Sequence, residues 1–219
     1  MKKIFVKFFV FSLFIVALQA ISFQSDSFAA IRNFGQVDDF IYRGARLRKG
    51  DKGADYKELA DLGVGTILNL ERFNSDDEKF CKKNNLSSNR FPLILLGLPD
   101  ADQFFDYTVL EKAFQFLVDE VHQGHKVYIH CYYGKDRTGS LVSAWTIRKN
   151  ACGKERYNKD EKDALWKKVE DDLTAYGFHD DLYPTLKNNI RAWVYELPSW
   201  ICRPPTATAA SPAVSEDQY

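Results

Sequence analysis

The residues best suited to chemistry stand in one stretch, VYIHCYYGKDRTGSL, from Val127 to Leu141. Cys131 is followed six positions later by Arg137, with Gly134 between them, His130 in front and Thr138 behind. An apolar run leads into the cysteine and a helix-like run begins at Thr138. The stretch therefore reads as strand, glycine-bearing loop and helix start. Such a loop makes an anion site, because successive backbone N–H groups converge on one point and the helix dipole adds partial positive charge. Arg137 adds a planar fork matched to two oxygens of a phosphoryl group, and Lys135 adds a second cation. Positive surroundings favour the thiolate form of a cysteine. A thiolate beneath a phosphate-shaped cradle is an activated nucleophile.

The expected reaction follows from that layout. Cys131 attacks phosphorus in line and forms a phosphocysteine, while Arg137 and the loop N–H groups stabilise the equatorial oxygens. The leaving oxygen needs a proton, so a general acid must reach in from another loop. Water then hydrolyses the phosphocysteine, with the same acid acting as base. Thr138 is placed to hydrogen-bond the departing sulfur, and His130 to hold the loop and tune the thiolate. Tyr132 and Tyr133 either line the pocket or pack the loop. Asp136 orients a water or Lys135, or moderates the local charge. No step calls for a metal or other cofactor, and no metal-ligand cluster is visible in the sequence.

The elements that must position this loop can be read on both sides of it. DFIYRGA, VGTILNL, RFPLILL and KVYIHC read as strands, the last apolar enough to be central. DYKELADLG, ending at Gly63, and SDDEKFCKKNN read as helices. YTVLEKAFQFLVDEVHQG is amphipathic, with Leu110, Ala113, Phe114, Leu117, Val118 and Val121 on one face. After Thr138 the chain adds helices only. Strands alternating with helices predict an α/β fold: a central, largely parallel sheet of about four to five strands, flanked by helices, with a helical C-terminal half. Ligands bind such sheets at the carboxyl ends of strands, where Cys131 stands. Arg43 and Arg46 close the first strand and Arg72 follows the second. At those strand ends they either bind peripheral phosphates or are solvated surface residues.

HCYYGKDRTG resembles the signature loop of the protein-tyrosine-phosphatase superfamily: histidine, cysteine, five residues, arginine, then Ser or Thr. His130, Cys131, Gly134, Arg137 and Thr138 fall on its defining positions. NFGQVDDFIYRGARL, LGVGTILNLER and YGFHDDLYPTLKNNI are similar to the compact atypical dual-specificity phosphatases, over about Asn33 to Val194. The GKDRTG ending also resembles phosphoinositide phosphatases and tyrosine-phosphatase-like phytases. The resemblance implies a cysteine-phosphatase fold and an aspartate general acid about thirty residues before the cysteine. Asp100 stands 31 residues before Cys131 and Asp102 stands 29 before it. Asp100 follows a proline, as the family's acid does, with leucine where the family pattern has tryptophan. Asp100 is the favoured acid and Asp102 the alternative.

Bulk properties set the context. The chain has 219 residues, 45% hydrophobic and 15% aromatic, enough for one domain with a core. Residues 1–29 have a lysine-bearing start, an apolar middle and a Ser/Ala ending, the pattern of a cleaved export signal. Removing their three lysines and one aspartate from 30 basic and 30 acidic residues leaves a formal net charge of −2. Global charge thus predicts neither a nucleic-acid partner nor membrane insertion, and an anionic substrate must be drawn by a local patch. The expected organisation is a phosphatase domain over residues 30–202 and a flexible tail over 203–219, rich in Pro, Ala, Ser and Thr. Cys81, Cys131, Cys152 and Cys202 allow at most one disulfide once Cys131 is a working thiol, with the pair left open. The sequence-based expectation is a secreted or periplasmic monomer, a metal-independent phosphomonoesterase of inositol polyphosphates such as phytate. The alternatives are a protein tyrosine or dual-specificity phosphatase, a phosphoinositide phosphatase, and a module that binds phosphate esters without turnover.

Overall fold

The structure is a computed structural model that describes residues 31–49, 52–96, 98, 101–154 and 157–206. The expected export signal, residues 1–29, and the candidate acid Asp100 lie outside the described residues. Among the described residues five strands form one sheet: β1 (Gly35–Gln36), β2 (Ile41–Ala45), β3 (Val64–Glu71), β4 (Ser87–Leu93) and β5 (Lys126–Cys131). Their order is β1-β2-β5-β3-β4. The four longer strands run parallel, and β1 is antiparallel to β2. The fold is the α/β architecture that the alternation of strand and helix patterns predicts. KVYIHC is apolar because it is the middle strand, covered on both faces. Val127, Ile129 and Cys131 face the larger core, and Tyr128 faces the smaller one.

Among the described residues six α-helices cover the sheet: α1 (Ala54–Asp61), α2 (Glu78–Lys83), α3 (Tyr107–His122), α4 (Asp136–Ala151), α5 (Lys159–Ala175) and α6 (Pro184–Glu196). Tyr56, Leu59 and Cys81 from α1 and α2 pack with Ile67 and Tyr128 on one face. Leu110, Phe114, Leu141, Leu165 and Ile190 from α3 to α6 fill the other. The helix starts are written locally. The Asp106 side chain accepts from the Thr108 and Val109 N–H groups, Asn158 and Glu161 form a capping box, and Pro184 opens α6. A side-chain cap stabilises a helix by about 1 kcal/mol.

Three boundaries differ from the sequence reading. The two-residue β1 is too short to show a period. The third expected strand, RFPLILL, begins earlier, at Ser87. Its polar first half escaped notice because β4 is the edge strand, which tolerates exposed residues and Pro92. α4 starts at Asp136 rather than Thr138, so Arg137 projects from the first helical turn.

Cys152 and Cys202 form a disulfide with a Cα–Cα distance of 5.5 Å, tying the end of α4 to the chain after α6. Cys81 and Cys131 are free. The segment expected to be a loose tail is tethered at its start. The Thr206 N–H and hydroxyl both donate to the Asp119 carboxylate, and Arg148 donates to the Arg203 carbonyl. No helix among the described residues is long and apolar enough to cross a membrane.

Candidate active site

The parallel strands end at one edge of the sheet, with Ala45, Glu71, Leu93 and Cys131 as their last residues. Strand register sets Cys131 beside Ala45. Gly134 is required twice over. Its φ is +73°, and a Cβ there would meet the Gly44 carbonyl carbon and oxygen at 2.4 Å. Gly44 in turn has no room for a Cβ against the Tyr128 hydroxyl, which donates to the Ala45 carbonyl at 2.6 Å. The loop is thus pressed flat onto the end of β2. Lys135 caps α4 without a side-chain acceptor, so no cap side chain occupies the first N–H groups of the helix.

Arg137 Nη1 donates to the carbonyls of Leu70 and Leu93, each at 3.4 Å, at the ends of β3 and β4. Its guanidinium lines a cavity of about 320 Å³ together with Arg46, Glu71, Arg72, Phe73 and Tyr132. Cys131 is 3% exposed and lies beside that cavity rather than in its lining. Tyr132 and Tyr133 are exposed and meet edge to face. Only Tyr132 belongs to the cavity wall.

The three peripheral arginines part company. Arg43 is fully buried, which corrects its expected place at the pocket mouth. Its guanidinium pairs with Asp172, stacks on Tyr176 with 3.7 Å to the ring centroid, and donates to the Gly134 carbonyl at 3.4 Å. The side chain leaves β2 toward α5 and passes behind the loop rather than into the cavity. Arg46 lines the cavity with its fork already engaged. Nε donates to Glu71 Oε1 at 2.7 Å, Nη2 pairs with Oε2, and the charge lies over the Tyr132 ring. Glu71 hydrogen bonding raises the Arg46 pKa above its ordinary value. Arg72 lines the cavity, rests against Phe73, and has no carboxylate partner among the described residues.

His130 is fully buried on the face opposite Cys131, stacked with Tyr128, its Nε2 3.1 Å from Asp76 Oδ1. Burial pushes the Asp76 carboxyl up, but His130, Ser88 and Asn69 outweigh it and hold the group below its ordinary value. Thr138 is fully buried, and its hydroxyl has no hydrogen-bond partner among the described residues. Asp136 accepts the His179 N–H at 2.9 Å and lies 3.0 Å from its imidazole Nδ1. It therefore anchors the α5–α6 loop rather than Lys135. The Lys135 chain runs over Gly177, where a Cβ would come within 3.3 Å of Nζ. Asp102, the alternative acid, is 1% exposed. Its Oδ2 accepts the Leu186 N–H at 2.7 Å in the first turn of α6, while Oδ1 has no partner among the described residues.

Sequence reasoning missed Glu71, Asp76 and His179. Each partner lies far along the chain, and acidic residues are frequent in those stretches, so no local signal singles them out. Among the described residues no group of three or more His, Cys, Asp and Glu side chains is arranged to hold a metal ion.

A model of the family Tc-R-P, described as polymorphic toxin system, DSP-PTPase phosphatase, matches residues 44–151. Inositol diphosphatase DSP3 of Arabidopsis thaliana is 31% identical over 152 residues, which cover 68% of this chain and 71% of that protein. Among solved structures, the core catalytic domain of the PP-IP phosphatase SIW14 from S. cerevisiae aligns with a TM-score of 0.53 at 19% identity, over 78% of this chain and 94% of that one. P. aeruginosa TpbA aligns with a TM-score of 0.57 at 17% identity, over 80% and 93%. The solved structures share the fold, the family model spans the loop together with β3 to β5, and the plant relative matches 68% of the chain. The chain belongs to the atypical dual-specificity phosphatases, cysteine-dependent enzymes of the protein-tyrosine-phosphatase superfamily.

Proposed function

We propose that this phosphatase hydrolyses inositol polyphosphates, phytate among them, through a phosphocysteine on Cys131 and without a metal ion. The observation that carries the reading is the presence of Arg72, without a carboxylate partner among the described residues, in the same cavity as Arg137 beside the cysteine loop, where Glu71 holds Arg46. One guanidinium suffices for a lone phosphoryl group. Further ones suit a ring that carries several. The plant relative's name, inositol diphosphatase, supports the same class.

In the proposed cycle Cys131 Sγ attacks phosphorus, the S–P bond forms and the ester P–O bond breaks. Arg137 and the loop N–H groups hold the equatorial oxygens. The Thr138 hydroxyl, buried without a partner among the described residues, serves the sulfur when it leaves. Asp100 protonates the departing oxygen, then takes a proton from the water that breaks the S–P bond. Asp102 is the weaker candidate, because one of its oxygens is committed to the Leu186 N–H. His130 holds the loop from beneath. The cycle is expected to run outside the cytoplasm, after removal of residues 1–29. The Cys152–Cys202 bridge supports that reading, since disulfides persist in oxidising compartments.

A phosphoinositide or peptide-borne phosphate is the second reading. It is favoured by Phe73, 77% exposed, and Leu96, 44% exposed, beside the arginines at the cavity. A phosphate-release panel separates the two. We expect kcat/KM on inositol hexakisphosphate or an inositol diphosphate to exceed that on a phosphotyrosine peptide by about tenfold or more, unchanged by chelator. Arg72→Ala is expected to lose about tenfold on the polyphosphate and little on p-nitrophenyl phosphate. Equal turnover of polyphosphate and phosphopeptide would overturn the inositol reading.

A further inference from the structure

The loop after Cys131 is held from behind by one side chain that lies outside the signature loop. Asn33 Nδ2 lies 3.2 Å from the Tyr133 carbonyl, 3.3 Å from that of Gly134 and 3.0 Å from that of Tyr176. Two weaker donors share the task. The Arg46 backbone N–H reaches the Tyr132 carbonyl and Arg43 Nη2 the Gly134 carbonyl, both at 3.4 Å. Three consecutive carbonyls of the loop are thus pinned by the segment 33–46. In a trans peptide the C=O and the following N–H point in opposite directions, and none of these bonds is cis. Holding the carbonyls of Tyr132, Tyr133 and Gly134 therefore turns the N–H groups of Tyr133, Gly134 and Lys135 to the other side. Those are the groups that a phosphate cradle needs.

Two details show that the contact is built. Asn33 has φ +56°, a left-handed conformation that asparagine tolerates better than most residues. Its neighbour Arg32 accepts the Ala45 N–H at 2.8 Å, and Ala45 is the residue registered beside Cys131. The clamp therefore starts from the strand that flanks the nucleophile. An amide suits the place, because its NH₂ offers two donors to a cluster of carbonyl oxygens. A carboxylate would set acceptor against acceptor.

We infer that Asn33 is a positioning residue of the catalytic loop, fixing the direction of its N–H groups through their carbonyls. The inference rests on the phosphocysteine reading of the same site, and its test separates the two. Asn33→Gly accepts the positive φ without strain and deletes the donors. Asn33→Asp keeps the shape and the tolerance of that φ while reversing the polarity. With p-nitrophenyl phosphate, kcat is expected to fall about 10- to 100-fold in both, with KM moving less than about threefold. Inhibition by orthovanadate, which mimics the five-coordinate phosphorus, should weaken in proportion to the loss in kcat. A lost packing contact would lower thermal stability without that proportionality. If Asn33→Gly does not fold, Asn33→Asp decides alone. Folded variants whose kcat and orthovanadate inhibition stay within about twofold of wild type overturn the inference. Failure of the phosphatase reading shows differently, as a wild-type protein inert toward p-nitrophenyl phosphate. Protection of Cys131 from iodoacetamide by orthovanadate then still reports on the cradle, and its retention in Asn33→Asp would sink the clamp.

Discussion

Cys81 and Cys131 are both free and both buried, yet they stand in different settings. Cys81 lies within α2 near Asp76, Asp77 and Glu78. Burial first, and then those carboxylates, push its thiol up to about 12. Cys131 ends β5, and a four-residue loop leads from it to α4, with Arg137 in the first turn of that helix. Burial alone therefore does not make a nucleophile. Carboxylates surround Cys81, while Cys131 precedes a helix start that carries an arginine, and the proposed attack on phosphorus depends on that difference.

The comparison breaks most sharply on mutation. Cys131→Ser should lower phosphate release by roughly a thousandfold or more, while Cys81→Ser stays within about twofold. Comparable losses in both would mean that the electrostatic contrast is not the cause. Labelling should follow the same division. With its thiol at about 12, roughly one Cys81 in 10⁵ is thiolate at neutral pH, so iodoacetamide should modify Cys131 and spare Cys81 until the protein is denatured. Peptide mapping reads the result, and inorganic phosphate should slow the modification of Cys131.

The bridged pair provides the contrast of a purely structural role. The Cys152–Cys202 bond closes a loop with a sequence separation of 50, worth about 4 kcal/mol in the chain-entropy picture. Cys202→Ser should lower the denaturation free energy by about 2–4 kcal/mol and leave kcat of the folded enzyme unchanged. A fall in kcat at full folding would couple the bridge to the site, which lies at the opposite end of α4.

The smallest effect concerns Asp76, which touches both regions through its field on Cys81 and its contact with His130. Its carboxyl is held below the ordinary 3.8. A depressed carboxylate contributes stability that is complete above its ordinary value and is lost as pH falls through the lowered one. Denaturant titrations should show wild type losing stability in acid below the ordinary value. Asp76→Asn should lose less over the same interval, and an unchanged slope would count against the pairing with His130.

Much of the site was legible because it is local. Cys131, Gly134, Arg137 and Thr138 lie within one loop and one helical turn, so their spacing alone keeps them neighbours. The central place of β5 was legible in its apolar run for the same reason. Arg43 misled because a strand end says nothing about which way a long side chain leaves it, and its partner Asp172 lies 129 residues away. Asp136 was read as a loop residue, while its partner His179 is 43 residues on. Asn33 could not be weighed at all, since the carbonyls that it holds lie 100 and 101 residues downstream.

By itself, then, the sequence marked the candidate nucleophile and its loop, the helix that follows and the alternation that builds a parallel sheet. Each depends on neighbours along the chain. Only the tertiary structure decided which arginines share the cavity, which cysteines pair, which carboxylates are committed elsewhere, and what holds the loop carbonyls in place. Those outcomes depend on distances between segments far apart in sequence, brought together when the sheet buries both its faces.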